Sequence, residues 1–233
     1  MPRWFAHRGG GDQAPENTLA GIRRAAALGL QAVEFDVMLS ADGTPLLIHD
    51  ETLERTTNGC GQVAATPDSV LFKLDAGGEP PPRFSDAARL CRQLGLLANV
   101  EIKPAAGYEV LTGETVAALA AQCWQGAAVP PLLSSFSVEA LAAARRAAPQ
   151  LPCGWLVETP PPDWPQRLQQ LGARTLHCAA AATTPQLLAQ ARALGVPVLV
   201  YTVNDAKQAK SLLATGVAAV FTDRLDLARV ALG

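Results

Sequence analysis

The chain has 233 residues, a formal net charge of −2, 49% hydrophobic residues and 17% charged ones. That balance excludes an extended disordered chain and supports a sizeable core, and near-neutrality gives no electrostatic reason to expect nucleic acid or an anionic membrane as partner. No apolar run reaches the ~18 residues a membrane span needs. The start, MPRWFAHRGG, lacks a cationic segment followed by an apolar one, and Cys60, Cys91, Cys123, Cys153 and Cys178 show no CxxC spacing, so a cytoplasmic address with reduced thiols is expected.

In chain order, β-like runs are expected at 3–7, 32–39, 98–103, 131–136, 153–158, 174–178, 196–203 and 218–223. Helical patterns fall near 17–28, 85–94, 113–124, 137–147, 163–171, 184–194, 205–214 and 225–232. LGL (28–30), LGV (194–196) and TGV (215–217) each set a glycine where a helix should stop before the next strand. Eight strands alternating with eight helices is the arithmetic of a TIM (β/α)8 barrel, here one domain over residues 1–233. A doubly wound open sheet does not require that count.

PLLIH (45–49) stands outside the alternation. Only SADGT separates it from the second strand, too short for a parallel crossover and suited to a hairpin with Asp42-Gly43 at its tip. A turn centred there pairs His49 with Asp36 and lifts the hairpin above the C-terminal mouth of the barrel, where barrel active sites lie. Residues 50–84 contain no clear helix and end in GGEPPPRF, so an excursion over the mouth is expected across about 40–84.

Residues at i and i+2 of a strand share a face. Glu34 therefore points with Asp36, and Glu101 with Lys103. The three acids interrupt strands otherwise apolar enough to be barrel staves, where unpaired charge is expensive. Converging at the mouth, they form an all-oxygen site for a hard dication, Mg2+ or Ca2+; the alternative is a structural ion-pair network. His7 and Arg8 end the first strand before GGG, whose backbone can approach a ligand closely. His7 and His49 are candidates for general acid and base, while Arg8 and Lys103 suit a phosphoryl group. A dication site, two imidazoles and two cations at one mouth point to phosphoryl-transfer chemistry.

The string AHRGG, PENT (15–18), EFD (34–36), IHD (48–50), LERTTNG (53–59), EIKP (101–104), LLSSF (132–136), YTVN (201–204) and FTD (221–223) resembles the glycerophosphodiester phosphodiesterase family over nearly the whole chain. It is most similar to the short cytoplasmic bacterial enzymes linked to glycerol-3-phosphate uptake. The resemblance implies that Glu34, Asp36 and Glu101 ligate one divalent cation, that His7 and His49 are the acid–base pair, and that Arg8 and Lys103 hold phosphate. It also implies attack on phosphorus by the glycerol's own neighbouring hydroxyl, opening of the cyclic phosphate by water, and release of sn-glycerol 3-phosphate and an alcohol such as choline or ethanolamine. Phe136 and Tyr201 are candidate walls of the glycerol pocket, with core packing the alternative for Phe136; many members carry tryptophan where Tyr201 stands. The stretch between Leu74 and Pro82 is short for the family, which bears on head-group preference.

The alternatives are a lysophospholipase D-like phosphodiesterase and a non-catalytic phosphodiester-binding barrel. The oligomeric state is left open. Glu16 and Asn17 are expected to organise the start of the first helix and the loop carrying Arg8, with capping the preferred role. Asn58 and Arg55 are expected to brace the excursion without a catalytic part, His177 is read as structural, and Ser135 lacks the GxSxG elbow of a nucleophile.

Overall fold

The computed structural model describes residues 1–232. Elements follow in the order β1 (Trp4–Ala6), α1 (Leu19–Ala27), β2 (Ala32–Leu39), β3 (Pro45–Leu47), α2 (Asp68–Leu71), α3 (Phe84–Leu94), β4 (Leu97–Ile102), α4 (Glu109–Cys123), β5 (Leu132–Ser135), α5 (Val138–Ala147) and β6 (Cys153–Val157). They continue with α6 (Trp164–Leu171), β7 (Thr175–Ala179), α7 (Pro185–Ala193), β8 (Val198–Tyr201), α8 (Ala206–Thr215), β9 (Ala219–Thr222) and α9 (Leu225–Leu232). Every strand except β3 lies in one parallel ring, which β1 closes by pairing with both β9 and β2. The expected (β/α)8 barrel is thus the fold. Among the described residues no helix is long and apolar enough to cross a membrane.

Strand parity sorts the side chains. Phe5, Ala32, Leu132, Leu199, Ala219 and Phe221 pack together inside the ring. Trp4, Val33, Phe35, Val100, Leu133 and Val220, their neighbours of opposite parity, join the larger core between strands and helices. Because the period is two, the inward series from Phe5 reaches His7, that from Ala32 reaches Glu34 and Asp36, and that from Phe221 reaches Asp223. His177 lies inside this ring, fully buried, 5.5 Å between ring centroids from Phe221. Its Nε2 is 2.9 Å from Thr175 Oγ1. Gly154 makes the room: a Cβ there would sit 2.5 Å from both atoms. Burial pushes the His177 pKa down to about 3, so it is a neutral packing residue.

The hairpin forms, with its register shifted by one residue from expectation. Leu47 pairs with Val37 and Pro45 with Leu39, and Ile48, not His49, meets Asp36, donating its N–H to the Asp36 carbonyl at 3.2 Å. The reason is a three-residue loop, 41–43, in place of a two-residue turn. Ser40 N–H bonds to the Thr44 carbonyl at 3.0 Å, and Gly43 takes the left-handed conformation at φ +77°. His49 then lies past the end of the pairing, where the chain turns away from the sheet.

The excursion is irregular apart from a short 3-10 segment (Val63–Ala65) and the single turn α2. Its Leu53, Val63 and Leu71 pack with Met38, Leu46 and Ile48 as a separate apolar cluster on the hairpin. Asp68 anchors it, accepting from Ser40 Oγ and Thr44 Oγ1, both at 2.6 Å, and from Arg83 at 3.1 Å.

Candidate active site

All nine side chains singled out from the sequence line one cavity at the C-terminal mouth, with Asn99, Leu156, Thr202 and Phe221 completing its wall. Two adjacent strands carry the acids. Register pairs Asp36 with Glu101 and Glu34 with Asn99, and one oxygen from each of Glu34, Asp36 and Glu101 lies within 4.8 Å of the others. All three residues are buried, the most accessible being Glu101 at 8%. Burial, reinforced by the Asp36 carboxylate, lifts Glu101 to about pKa 8 against the pull of Lys103 and Arg8. Burial together with Asp36 and Glu101 raises Glu34 well above the usual carboxylate range. Glu34 Oε1 is buried with no hydrogen-bond partner among the described residues. Three crowded carboxylates, one with an unsatisfied oxygen aligned to none of the nearby donors, fit a hard divalent cation.

The loop after β1 brings cationic and imidazole groups to the same place. Arg8 has φ +51°, a left-handed backbone unusual for arginine. Its N–H donates to Glu34 Oε2 at 2.8 Å, and Asn17 N–H holds its carbonyl at 2.8 Å. Asn17, also left-handed at φ +56°, does not cap α1; Thr18 does, accepting from Gly21 N–H at 3.0 Å. The Asn17 amide instead grips Asp36 from both ends, donating to Oδ2 at 2.9 Å and accepting the Asp36 N–H at 3.0 Å. Capping and this grip require the same short polar side chains, so sequence alone did not separate them.

Each cavity histidine has a carboxylate behind it. His7 Nδ1 is 2.7 Å from Asp223 Oδ1, and His7 Nε2 is 3.9 Å from Glu34 Oε2. Asp223 is held in turn by Asn204 Nδ2 at 2.7 Å and returns its own N–H to Asn204 Oδ1 at 2.8 Å. Burial raises the Asp223 carboxyl, but hydrogen bonds from His7 and Asn204 outweigh it and keep the group below its ordinary range. His49 Nδ1 is 2.6 Å from Asp50 Oδ1, while its Nε2 is 2.8 Å from Lys103 Nζ. Lys103 also approaches Glu101 at 3.7 Å and Asp36 at 3.9 Å.

Phe136 and Tyr201 form the apolar wall, edge to face at 5.8 Å between centroids and 81° between planes. The Tyr201 hydroxyl donates to the Val157 carbonyl at 2.9 Å. Ser135 spends its hydroxyl on the Ile102 carbonyl at 2.6 Å, which leaves it no nucleophilic role. Asp50, Asp223 and Asn204 are the site residues that received no role from the sequence. Asp223 carried a signal, since it shares strand parity with Phe221, but Asp50 lies in a loop without periodicity.

A closed parallel barrel whose mouth gathers buried acids, carboxylate-backed imidazoles and two cations belongs to the class of barrel hydrolases that cleave phosphate esters. Residues 7–227 match the Glycerophosphoryl diester phosphodiesterase family. A glycerophosphodiester phosphodiesterase of Caldanaerobacter subterraneus subsp. tengcongensis is 32% identical over 228 residues, covering 94% of this chain and 93% of that one. Human glycerophosphodiester phosphodiesterase 1 is 55% identical over 109 residues, 42% of this chain and 33% of its own. Among solved structures, a phosphodiesterase of Oleispira antarctica in complex with the product sn-glycerol-3-phosphate superposes with a TM-score of 0.93 at 35% identity, covering 100% of this chain and 98% of that one. The chain belongs to the glycerophosphodiester phosphodiesterase family and is an enzyme of that activity.

Proposed function

We propose that the chain hydrolyses small glycerophosphodiesters, such as glycerophosphocholine and glycerophosphoethanolamine, to sn-glycerol 3-phosphate and the free alcohol, with one Mg2+ or Ca2+ held by Glu34, Asp36 and Glu101. The observation that carries this reading is the pair of carboxylate-backed imidazoles, His7–Asp223 and His49–Asp50, lining one cavity with the buried triad. The product seen in the Oleispira antarctica relative supports glycerol 3-phosphate as the portion retained.

The cation, when bound, polarises a phosphoryl oxygen and makes a nearby hydroxyl more acidic. The remaining work falls to the chain. Arg8 and Lys103 face the anionic phosphoryl oxygens. One imidazole takes the proton of the glycerol hydroxyl as its oxygen bonds to phosphorus; the other donates a proton to the departing alcohol oxygen as that P–O bond breaks. Water then opens the cyclic phosphate with the two roles exchanged. Asp223 and Asp50 accept the Nδ1 protons, which leaves Nε2 as the reacting nitrogen of each ring, with Lys103 Nζ 2.8 Å from that of His49. Phe136 and Tyr201 supply apolar surface for the glycerol carbons. The five cysteines are free and Cys91, Cys153 and Cys178 are buried, which suits a cytoplasmic setting.

The test is release of glycerol 3-phosphate from glycerophosphocholine by purified protein, with EDTA and with Mg2+ or Ca2+ restored. Chelator-sensitive release that is lost in His7→Ala is expected. Release that survives exhaustive chelation would sink the metal assignment, and no release under any metal would sink the substrate.

A further inference from the structure

Arg55 belongs to no part of the chemistry described so far, yet it joins both halves of it. Its guanidinium makes a two-bond fork with Glu16, Nη1 to Oε2 at 2.7 Å and Nη2 to Oε1 at 2.8 Å. On the other side it donates through Nη2 to Asp50 Oδ1 at 3.0 Å and through Nε to Asp50 Oδ2. Glu16 Oε1 also accepts from Arg8 Nη1 at 3.0 Å, and Asp50 holds His49. A continuous run of contacts therefore leads from Arg8 through Glu16, Arg55 and Asp50 to His49 and on to Lys103. The excursion meets the loop before α1 and the first turn of α1 at other points as well, Gly77 against Pro15 and Glu79 on the Ala20 N–H, but those touch no residue of the cavity.

We infer that Arg55 is a positioning residue that sets the His49 imidazole through Asp50 and the Arg8 guanidinium through Glu16, so that both reach one phosphodiester at the same time. A purely stabilising ion pair is the plainer account, and exposure counts against it. The Arg55 side chain is 47% exposed, and ion pairs in water add little to folding. What a planar fork with donors on two edges does supply is direction, and it does so to two carboxylates from separate segments at once. Lysine, a point charge on a flexible stem, cannot hold both. The excursion thereby gains a role without covering the mouth: of residues 49–84 only His49 lines the cavity.

This inference rests on the reading that His49 and Arg8 act on the substrate. The test uses the purified full chain with Mg2+ and glycerophosphocholine. Arg55→Ala is expected to lower kcat/KM roughly 10- to 100-fold, mostly in kcat, the cost of a small misplacement of reacting groups. Arg55→Lys should recover only a minor part, and guanidinium ion added well below denaturing concentration should restore activity to Arg55→Ala but not to Arg55→Lys. Combining Arg55→Ala with Asp50→Asn should cost clearly less than the product of the two single losses, because the two changes share the His49 arm. Wild-type kcat/KM in Arg55→Ala, or losses that multiply with Asp50→Asn, would overturn the inference. Should Arg55→Ala fail to fold, Glu16→Gln replaces it, with a loss confined to the Arg8 arm expected and wild-type kinetics overturning that arm. His49→Ala separates the two levels. An active His49→Ala defeats the reading of the site, whereas an inactive one beside a wild-type Arg55→Ala defeats only the positioning role.

Discussion

The two sides of the cavity are built by opposite physics. On the β2–β4 side, charge is carried into the barrel wall: Glu34, Asp36 and Glu101 are buried and fixed by strand register, and their crowding raises the energy of the ion-free protein. On the loop side, Arg8, Glu16, Asp50 and Arg55 remain partly in water, and paired opposite charges fix them where no sheet can. The wall trades stability for a site ready to take a cation; the loops obtain direction at almost no cost in stability. Activity and stability should therefore respond in opposite ways on the two sides.

The largest effect is expected in the wall. Glu101→Gln should lower kcat/KM by about 10³-fold or more, since on the proposed reading it removes a ligand of a cation worth several kcal/mol to the transition state. The chelated variant should nonetheless be at least as stable as the chelated wild type at neutral pH, because a buried carboxyl that ionises in the unfolded chain but is held protonated in the ion-free fold has gone. Unfolding below wild-type temperature would show that the acids are compensated internally and are no cation site. Next comes Asp223→Asn, which leaves a hydrogen-bonding group behind His7 but removes its charge. A loss of about 10²-fold is expected, with the folded structure kept by the Asn204 contact. Undiminished turnover would show that His7 needs no negative charge behind it.

A third expectation concerns pH. Glu101 titrates at about 8 in the folded chain against 4.5 when unexceptional, so between those values the folded state holds a proton that the unfolded state has lost. Stability of the chelated protein is greatest below about pH 4.5 as far as this group is concerned, and it declines as pH rises to about 8. Thermal melts across that window should show the decline, with Mg2+ reversing it most at the alkaline end, where the carboxylates are ionised. In Glu34→Gln the slope should flatten. A chelated protein whose Tm is level over the window would contradict the burial argument. The smallest effect belongs to Phe136→Ala: the ring is 47% exposed, so removing it should raise KM by roughly 3- to 10-fold, the worth of a partly buried apolar contact, and leave kcat close to unchanged.

The same division explains what the sequence could convey. Strand-borne features follow a period of two, so the pairs Glu34/Asp36 and Glu101/Lys103 could be placed on a common inner face, and alternating apolar runs with glycine stops located all eight β/α units. The hairpin register slipped by one residue because a three-residue loop and a two-residue turn both accept Asp42-Gly43, and only the backbone distinguishes them. Asn17 was expected to cap because its side chain competes for the same bonds that Thr18 makes. Glu16 and Arg55 find one another across 39 residues, and Glu16, Asp50 and Arg55 all sit in loops, where no periodicity exists to reveal a contact. Asp223 could have been placed by extending the parity of Phe221.

The seam that closes the barrel runs through the site. His7 N–H bonds to the Thr222 carbonyl at 2.9 Å and Asp12 N–H to the Asp223 carbonyl at 2.8 Å. At Gly11 the approach is so tight that a Cβ would lie 2.2 Å from that same Asp223 oxygen. His7, at the end of the first barrel strand, thus acquires its carboxylate partner only when the last strand joins it. A nascent or refolding chain can carry most of its helices and strands and still have an unsupported imidazole. Regain of turnover after dilution from denaturant consequently times the joining of the first and last strands, while far-ultraviolet dichroism times everything before it.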